Sequence, residues 1–116
     1  MANKNIEIVQ GQTLAFGFEY EGTTQDLDGA YFTIKQDLDS TTALVQKTIG
    51  DGITKVATTE TGVQYRVRIA PEDTINLAAG TYYYDFFIEL NNDKFPILRG
   101  SIKLLRNVTY GGGQNG

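Results

Sequence analysis

Along most of this chain the apolar residues recur at every second position, and a period of two forbids a helical fold. The segment 81–90 reads Thr-Tyr-Tyr-Tyr-Asp-Phe-Phe-Ile-Glu-Leu. Tyr82, Tyr84, Phe86, Ile88 and Leu90 share one face of a strand there, and Tyr83, Asp85, Phe87 and Glu89 the other. Residues 62–70 alternate in the same way, with Val63, Tyr65, Val67 and Ile69 inward and Gln64, Arg66 and Arg68 outward. Residues 12–20 place Leu14, Phe16, Phe18 and Tyr20 on one side; residues 30–36 place Ala30, Phe32 and Ile34 inward and Tyr31, Thr33 and Lys35 outward.

The punctuation between these runs is turn chemistry. A short strand from Ile6 to Val9 joins the next at Gly11, where a bend or bulge fits. Residues 44–49 and 53–57 flank Gly50-Asp51-Gly52, a turn predicting a hairpin at a sheet edge, with Lys47 and Lys55 blocking edge pairing. Pro71-Glu72-Asp73-Thr74 predicts one helical turn near 71–77, with Leu77 reaching back to the core. After Asn91-Asn92-Asp93 the chain returns as a strand over 94–99; Pro96 signals an edge or irregularity, Gly100 a bulge, and a last strand covers 101–108. Seven to nine strands with turns every 8–12 residues predict an all-β, immunoglobulin-like antiparallel β-sandwich. Residues 1–109 form the single domain, and 110–116 a flexible glycine-rich tail.

Composition then narrows the function. The 116 residues include no His and no Cys, so no thiolate nucleophile, disulfide or histidine general base exists in this chain. That reading is of a non-enzyme without cofactor or metal. A net charge of −4 argues against nucleic acid and anionic membrane as partners. Met1-Ala2-Asn3-Lys4-Asn5 lacks the apolar stretch of a signal peptide, which points to synthesis in a cytoplasm.

The remaining candidates are few. Asp26-Leu27-Asp28-Gly29 and Asp37-Leu38-Asp39 could offer oxygens to calcium or serve as a hydrolase carboxylate pair, yet their spacing matches no calcium loop. Aspartates beside glycine also make turns by accepting nearby amide hydrogens. Asn107-Val108-Thr109 fits a glycosylation triplet by chance. Arg66 and Arg68 could hold an anion or pair across strands with an acid. Tyr31, Tyr83 and Phe87 point away from the core; if their strands are neighbours they form an aromatic interaction surface, unless a loop, the N-terminal strand or the tail covers it. Stacking on a sugar or a peptide is the other use of such a patch.

Several segments together resemble a known family. Gly11-Gln12-Thr13-Leu14 runs into Phe16 and Phe18, and Asp26-Leu27-Asp28-Gly29-Ala30 leads into a strand. Pro71-Glu72-Asp73-Thr74, Leu77, Gly80-Thr81-Tyr82-Tyr83-Tyr84-Asp85, Leu98-Arg99-Gly100 and Asn107-Val108-Thr109 follow in order. Over about residues 6–109 this resembles small tailed-bacteriophage virion proteins and the immunoglobulin-like N-terminal domain of upper baseplate proteins. The resemblance implies a virion component, made in the bacterial host cytoplasm, whose partners are other virion proteins or further copies of itself. Since the chain stops at the glycine-rich tail, it implies a tail or baseplate adaptor, or a capsid decoration protein, rather than a receptor-binding fibre. It also assigns structural roles: Tyr82 and Tyr84 in the core with bonded hydroxyls, and Asp85 as a cap for the turn near Thr74.

Overall fold

The structure, a computed structural model, describes residues 2–108. Its strands are β1 (Ala2–Asn3), β2 (Ile6–Val9), β3 (Leu14–Tyr20), β4 (Gly29–Lys35), β5 (Val45–Ile49), β6 (Gly52–Thr58), β7 (Val63–Ile69), β8 (Gly80–Leu90) and β9 (Asp93–Leu105), with one helical turn, α1 (Pro71–Thr74), before β8. The tail at 110–116 and Thr109 lie outside the described residues.

Hydrogen bonding orders the strands β1-β9-β8-β4-β5-β6-β7-β3, with β2 also beside β9. This ladder folds over on itself. Phe16 and Phe18 of β3 meet Phe86 of β8 edge-on at 6.4 and 5.2 Å, and Phe16 meets Phe32 of β4 at 5.8 Å. Strands far apart in the hydrogen-bond order are thus face to face. One layer is β2-β9-β8-β4-β5 and the other β6-β7-β3, the two sheets of an immunoglobulin-like sandwich. The predicted inward set of β4, β7 and β8 is buried throughout, with Phe32, Val63, Val67, Ile69, Phe86 and Ile88 at 0% exposure.

Two details carry the signature of this fold. Tyr82 Oη donates to the Ala78 carbonyl at 2.6 Å, closing a tyrosine corner at the start of β8. Two residues on, where antibody domains carry an inter-sheet cysteine, stands Tyr84, stacked on Phe32 at 5.3 Å. Its hydroxyl donates to the Lys4 carbonyl at 2.7 Å. A cluster of rings from β3, β4 and β8 does by packing what a disulfide and a tryptophan do in antibody domains.

The structure departs from the sequence expectations in four places. A tight turn does form at Gly50-Asp51-Gly52, where Thr48 and Asp51 exchange amide bonds of 3.0 and 2.9 Å. The flanking strands nevertheless separate: β5 stays with β4, and β6 crosses to β7, because Ile53 is fully buried opposite Val67. They share only the parallel pairs Thr48–Gly52 and Ile49–Ile53, so there is no edge hairpin. Lys47 and Lys55 instead pair with Asp73 (2.9 Å) and Asp26. Second, 94–105 is one strand whose irregularity falls at Ile97, since Phe86 pairs with Leu98 but Phe87 with Pro96. Gly100 serves close approach: a Cβ there would lie 2.0 Å from the Lys4 carbonyl oxygen. Third, Arg66 and Arg68 stand opposite Gly17 and Ala15, and among the described residues no acid reaches ion-pair distance of either. Fourth, Asp85 faces Thr33 and Arg99 on the sheet's outer side, and Ala70, at the start of α1, gives its amide to Asp73 at 2.7 Å instead.

Candidate functional site

The outward residues of β4, β8 and β9 are arranged in rows by the strand register. Tyr31, Phe87 and Pro96 form one row, Thr33, Asp85 and Arg99 the next, and Lys35, Tyr83 and Ser101 the third. Since β4 and β8 are neighbours, the three aromatics expected to form a surface do share one face, and all three are half-buried. Tyr31 and Phe87 are register partners; Tyr83 lies four residues along β8 from Phe87.

Tyr31, Pro96 and Ser101 each have a local reason for their pose. A Cβ on Gly29 would come within 2.8 Å of the Tyr31 hydroxyl, so the phenol lies across that glycine. The Tyr31 hydroxyl then donates to Glu89 Oε1 at 3.1 Å, and Lys94 Nζ stands 3.5 Å from Glu89 Oε2. That bond to a carboxylate, and then the carboxylate's charge, raise the Tyr31 pKa above the usual phenol value. Pro96 is accommodated because the skipped residue Ile97 relaxes the ladder, and Pro cannot donate to it. Ser101 is tied down by Asn5 Oδ1, which accepts from its amide at 3.2 Å and its hydroxyl at 3.1 Å.

Asp85 occupies the middle of this face. Partial desolvation raises its carboxyl above the ordinary value, against the opposing pull of Lys35 and Arg99. Around it lies a shallow depression of about 720 Å³ lined by Leu38, Tyr83, Asp85, Phe87, Pro96 and Arg99. Leu38 is 70% exposed at its rim. Sequence reading missed Leu38, Asp85, Pro96 and Arg99 as members of this surface. Their signal was a leucine between two aspartates in a loop, and a proline inside a strand-like run.

Chemically, the face offers aromatic rings, two carboxylates (Asp85 between Lys35 and Arg99, and Glu89 bonded to Tyr31 beside Lys94), and amide and hydroxyl groups. Interfaces between proteins are rich in such aromatics and arginines. The aspartate and asparagine candidates are engaged structurally. Asp28 Oδ2 accepts the Asn91 amide at 2.8 Å, Asp37 Oδ1 the Asp39 amide at 3.2 Å, and Asp26 takes Lys55. Among the described residues no group of three possible metal ligands comes together. Asn107 is buried, and its side-chain nitrogen donates to the Gln10 carbonyl at 2.8 Å, which commits the atom a glycan would need.

No family model matches the chain, and no curated protein is similar to it at a significant level. Several solved structures are similar, two of them over most of their length. One, from photo-crosslinking work on multimeric cell-adhesive interactions of voltage-gated sodium channel β subunits, is 14% identical, with 90% of this chain and 92% of that chain covered and a TM-score of 0.45. The other, from parallel homodimer structures of the extracellular domains of the sodium channel β4 subunit, is 10% identical, with 91% and 93% covered and a TM-score of 0.42. At these values neither likeness bears on function.

Proposed function

We propose that this chain is a non-enzymatic structural protein of a bacteriophage or prophage particle, a small tail or baseplate adaptor that holds other virion proteins against the outer face of β4, β8 and β9. The observation that carries the binding role is the aromatic face itself: Tyr31, Phe87 and Pro96 in one row, Tyr83 beside it, and Asp85 with Arg99 at the centre. Rings of this kind bury large area at small entropic cost, and Tyr and Arg dominate the energetically important positions of interfaces. The partner class comes from the sequence resemblance over residues 6–109. The absence of His and Cys from the whole chain favours assembly over catalysis.

The test uses the full chain and the particles of a phage whose tail genes neighbour its own. Wild type co-sediments with the particles, and Tyr83→Arg or Phe87→Lys weakens that association at least about tenfold, or ~1.4 kcal/mol, with the thermal midpoint unchanged. A chain that never joins a particle, from a gene outside any phage cluster, defeats the proposal.

A further inference from the structure

A different surface, the free edge of β3, carries an inference that does not depend on the aromatic face. Strand β3 lies at the end of the hydrogen-bond order, bonded to β7 on one side only. The N-terminal strands β1 and β2, which could have covered it, both run beside β9 in the opposite layer. One side of the sandwich is left open as a result. The hydrophobics that pack on the core without being fully buried are concentrated there: Leu14, Phe16, Phe18 and Tyr20 from β3, Ile6 from β2, and Ile97 and Leu98 from β9. Natural edge strands are ordinarily blunted by lysine, proline, bulges or shortness. Leu14-Ala15-Phe16-Gly17-Phe18-Glu19-Tyr20 has no lysine or proline, and its pairing with β7 is regular along all seven residues.

The sequence of this edge is self-complementary about Gly17. In an antiparallel pairing centred there, Gly17 meets Gly17 of the second copy, Phe16 meets Phe18, Leu14 meets Tyr20, and Ala15 meets Glu19. Every inward-facing residue then finds an apolar or aromatic partner, the cross-strand pairing that stabilises sheets. The outer face matches in charge as well. Arg68 stands beside Ala15 on β7, and no acid among the described residues reaches it. Glu19 of the second copy would sit just beyond that small side chain, two strand spacings or roughly 10 Å from Arg68 by backbone, a gap the two long side chains span. Within one chain the neighbours of Glu19 are neutral: Gln64 Nε2 and Thr59 Oγ1, each at 3.1 Å.

We infer that β3 pairs edge to edge with β3 of a second copy of this chain, making a two-fold dimer whose outer layers fuse into one continuous six-stranded sheet, β6-β7-β3 with its mate. An isologous contact of this kind satisfies the free amides of both edges with the same residues twice.

Sedimentation of the full chain across a wide concentration range tests this directly. The wild type shows a monomer–dimer equilibrium. Gly17→Lys places two like charges at the two-fold axis and weakens the dimer at least tenfold. It leaves the monomer sound, because a Cβ at Gly17 meets nothing nearer than the Tyr65 carbonyl oxygen at 4.0 Å. Glu19→Arg and Arg68→Glu each weaken the dimer, and the double variant restores it. The two positions are four residues apart along paired strands in one chain, roughly 13 Å, so restoration reads a contact between copies. Gly17→Cys, in a chain with no other cysteine, gives a disulfide-linked dimer on mild oxidation, and Val56→Cys, 59% exposed on another strand, does not. A chain that stays monomeric to millimolar concentration overturns the inference. So does a dimer that survives Gly17→Lys, or one that Tyr83→Arg dissolves while Gly17→Lys does not.

Discussion

The two faces of β8 both carry Tyr and Phe rings and differ in what surrounds them. Inward stand Tyr82, Tyr84, Phe86, Ile88 and Leu90, all buried; outward stand Tyr83, Asp85, Phe87 and Glu89, half-buried or exposed. On the inner face every polar atom is spent inside the chain: the two tyrosine hydroxyls hold the Ala78 and Lys4 carbonyls. On the outer face the rings surround a carboxylate and leave their upper surfaces uncovered. The comparison teaches that aromatic content alone does not distinguish a core face from an outer one. The side of the strand does: alternate residues of β8 are buried, and those between them are not.

The largest test of that contrast compares adjacent phenylalanines. Phe86 has 0% exposure and touches rings of β3 and β4, so Phe86→Ala should cost ~3–5 kcal/mol in urea unfolding. Phe87→Ala should cost less than ~1 kcal/mol and act on assembly instead. Equal losses would erase the distinction between the faces. A middle-sized effect separates the tyrosines. Tyr84→Phe removes the bond to Lys4 and should cost about 1 kcal/mol, with faster amide exchange at Lys4, whose N–H donates to Arg99 at 2.9 Å. Tyr83→Phe should leave both stability and exchange unchanged.

Much of this was legible in the residues, and the failures share one cause. A period of two tells which way a side chain points, so the inward sets of β4, β7 and β8 emerged correctly. It does not tell which strand lies alongside. Gly50-Asp51-Gly52 has the positive-φ glycines of a hairpin turn, at +91° and +94°, yet the same turn serves a chain changing layers. What decides is the burial of Ile53 against Val67, a tertiary fact. Gly100 and Gly29 likewise read as turn or bulge signals, whereas each clears space for another group: the Lys4 carbonyl in one case and the Tyr31 phenol in the other. Tyr31, Tyr83 and Phe87 were placed on one face from alternation, conditional on β4 lying beside β8. Asp85 shares that face by the same alternation, whereas Arg99 joins it only through the register of β8 with β9.

Asp85 supplies the smallest test and the one with a sign. Its carboxyl titrates above the usual value of 3.8 because desolvation outweighs the attraction of Lys35 and Arg99. The folded state therefore binds a proton more readily than the unfolded chain, and stability falls as pH rises through that window. Above the raised pKa the charged carboxylate is a net burden on the monomer; at and below pH 3.8 the burden disappears as both states become protonated. Asp85→Asn should then raise the thermal midpoint slightly at neutral pH, with the gain shrinking as the solution is acidified toward pH 3.5, a direction readable by paired melts. On the binding role proposed for this face, the same substitution should also weaken association with the partner. If Asp85→Asn instead lowers the midpoint at neutral pH, the ion pairs dominate, and Asp85 belongs with the fold rather than with the interface.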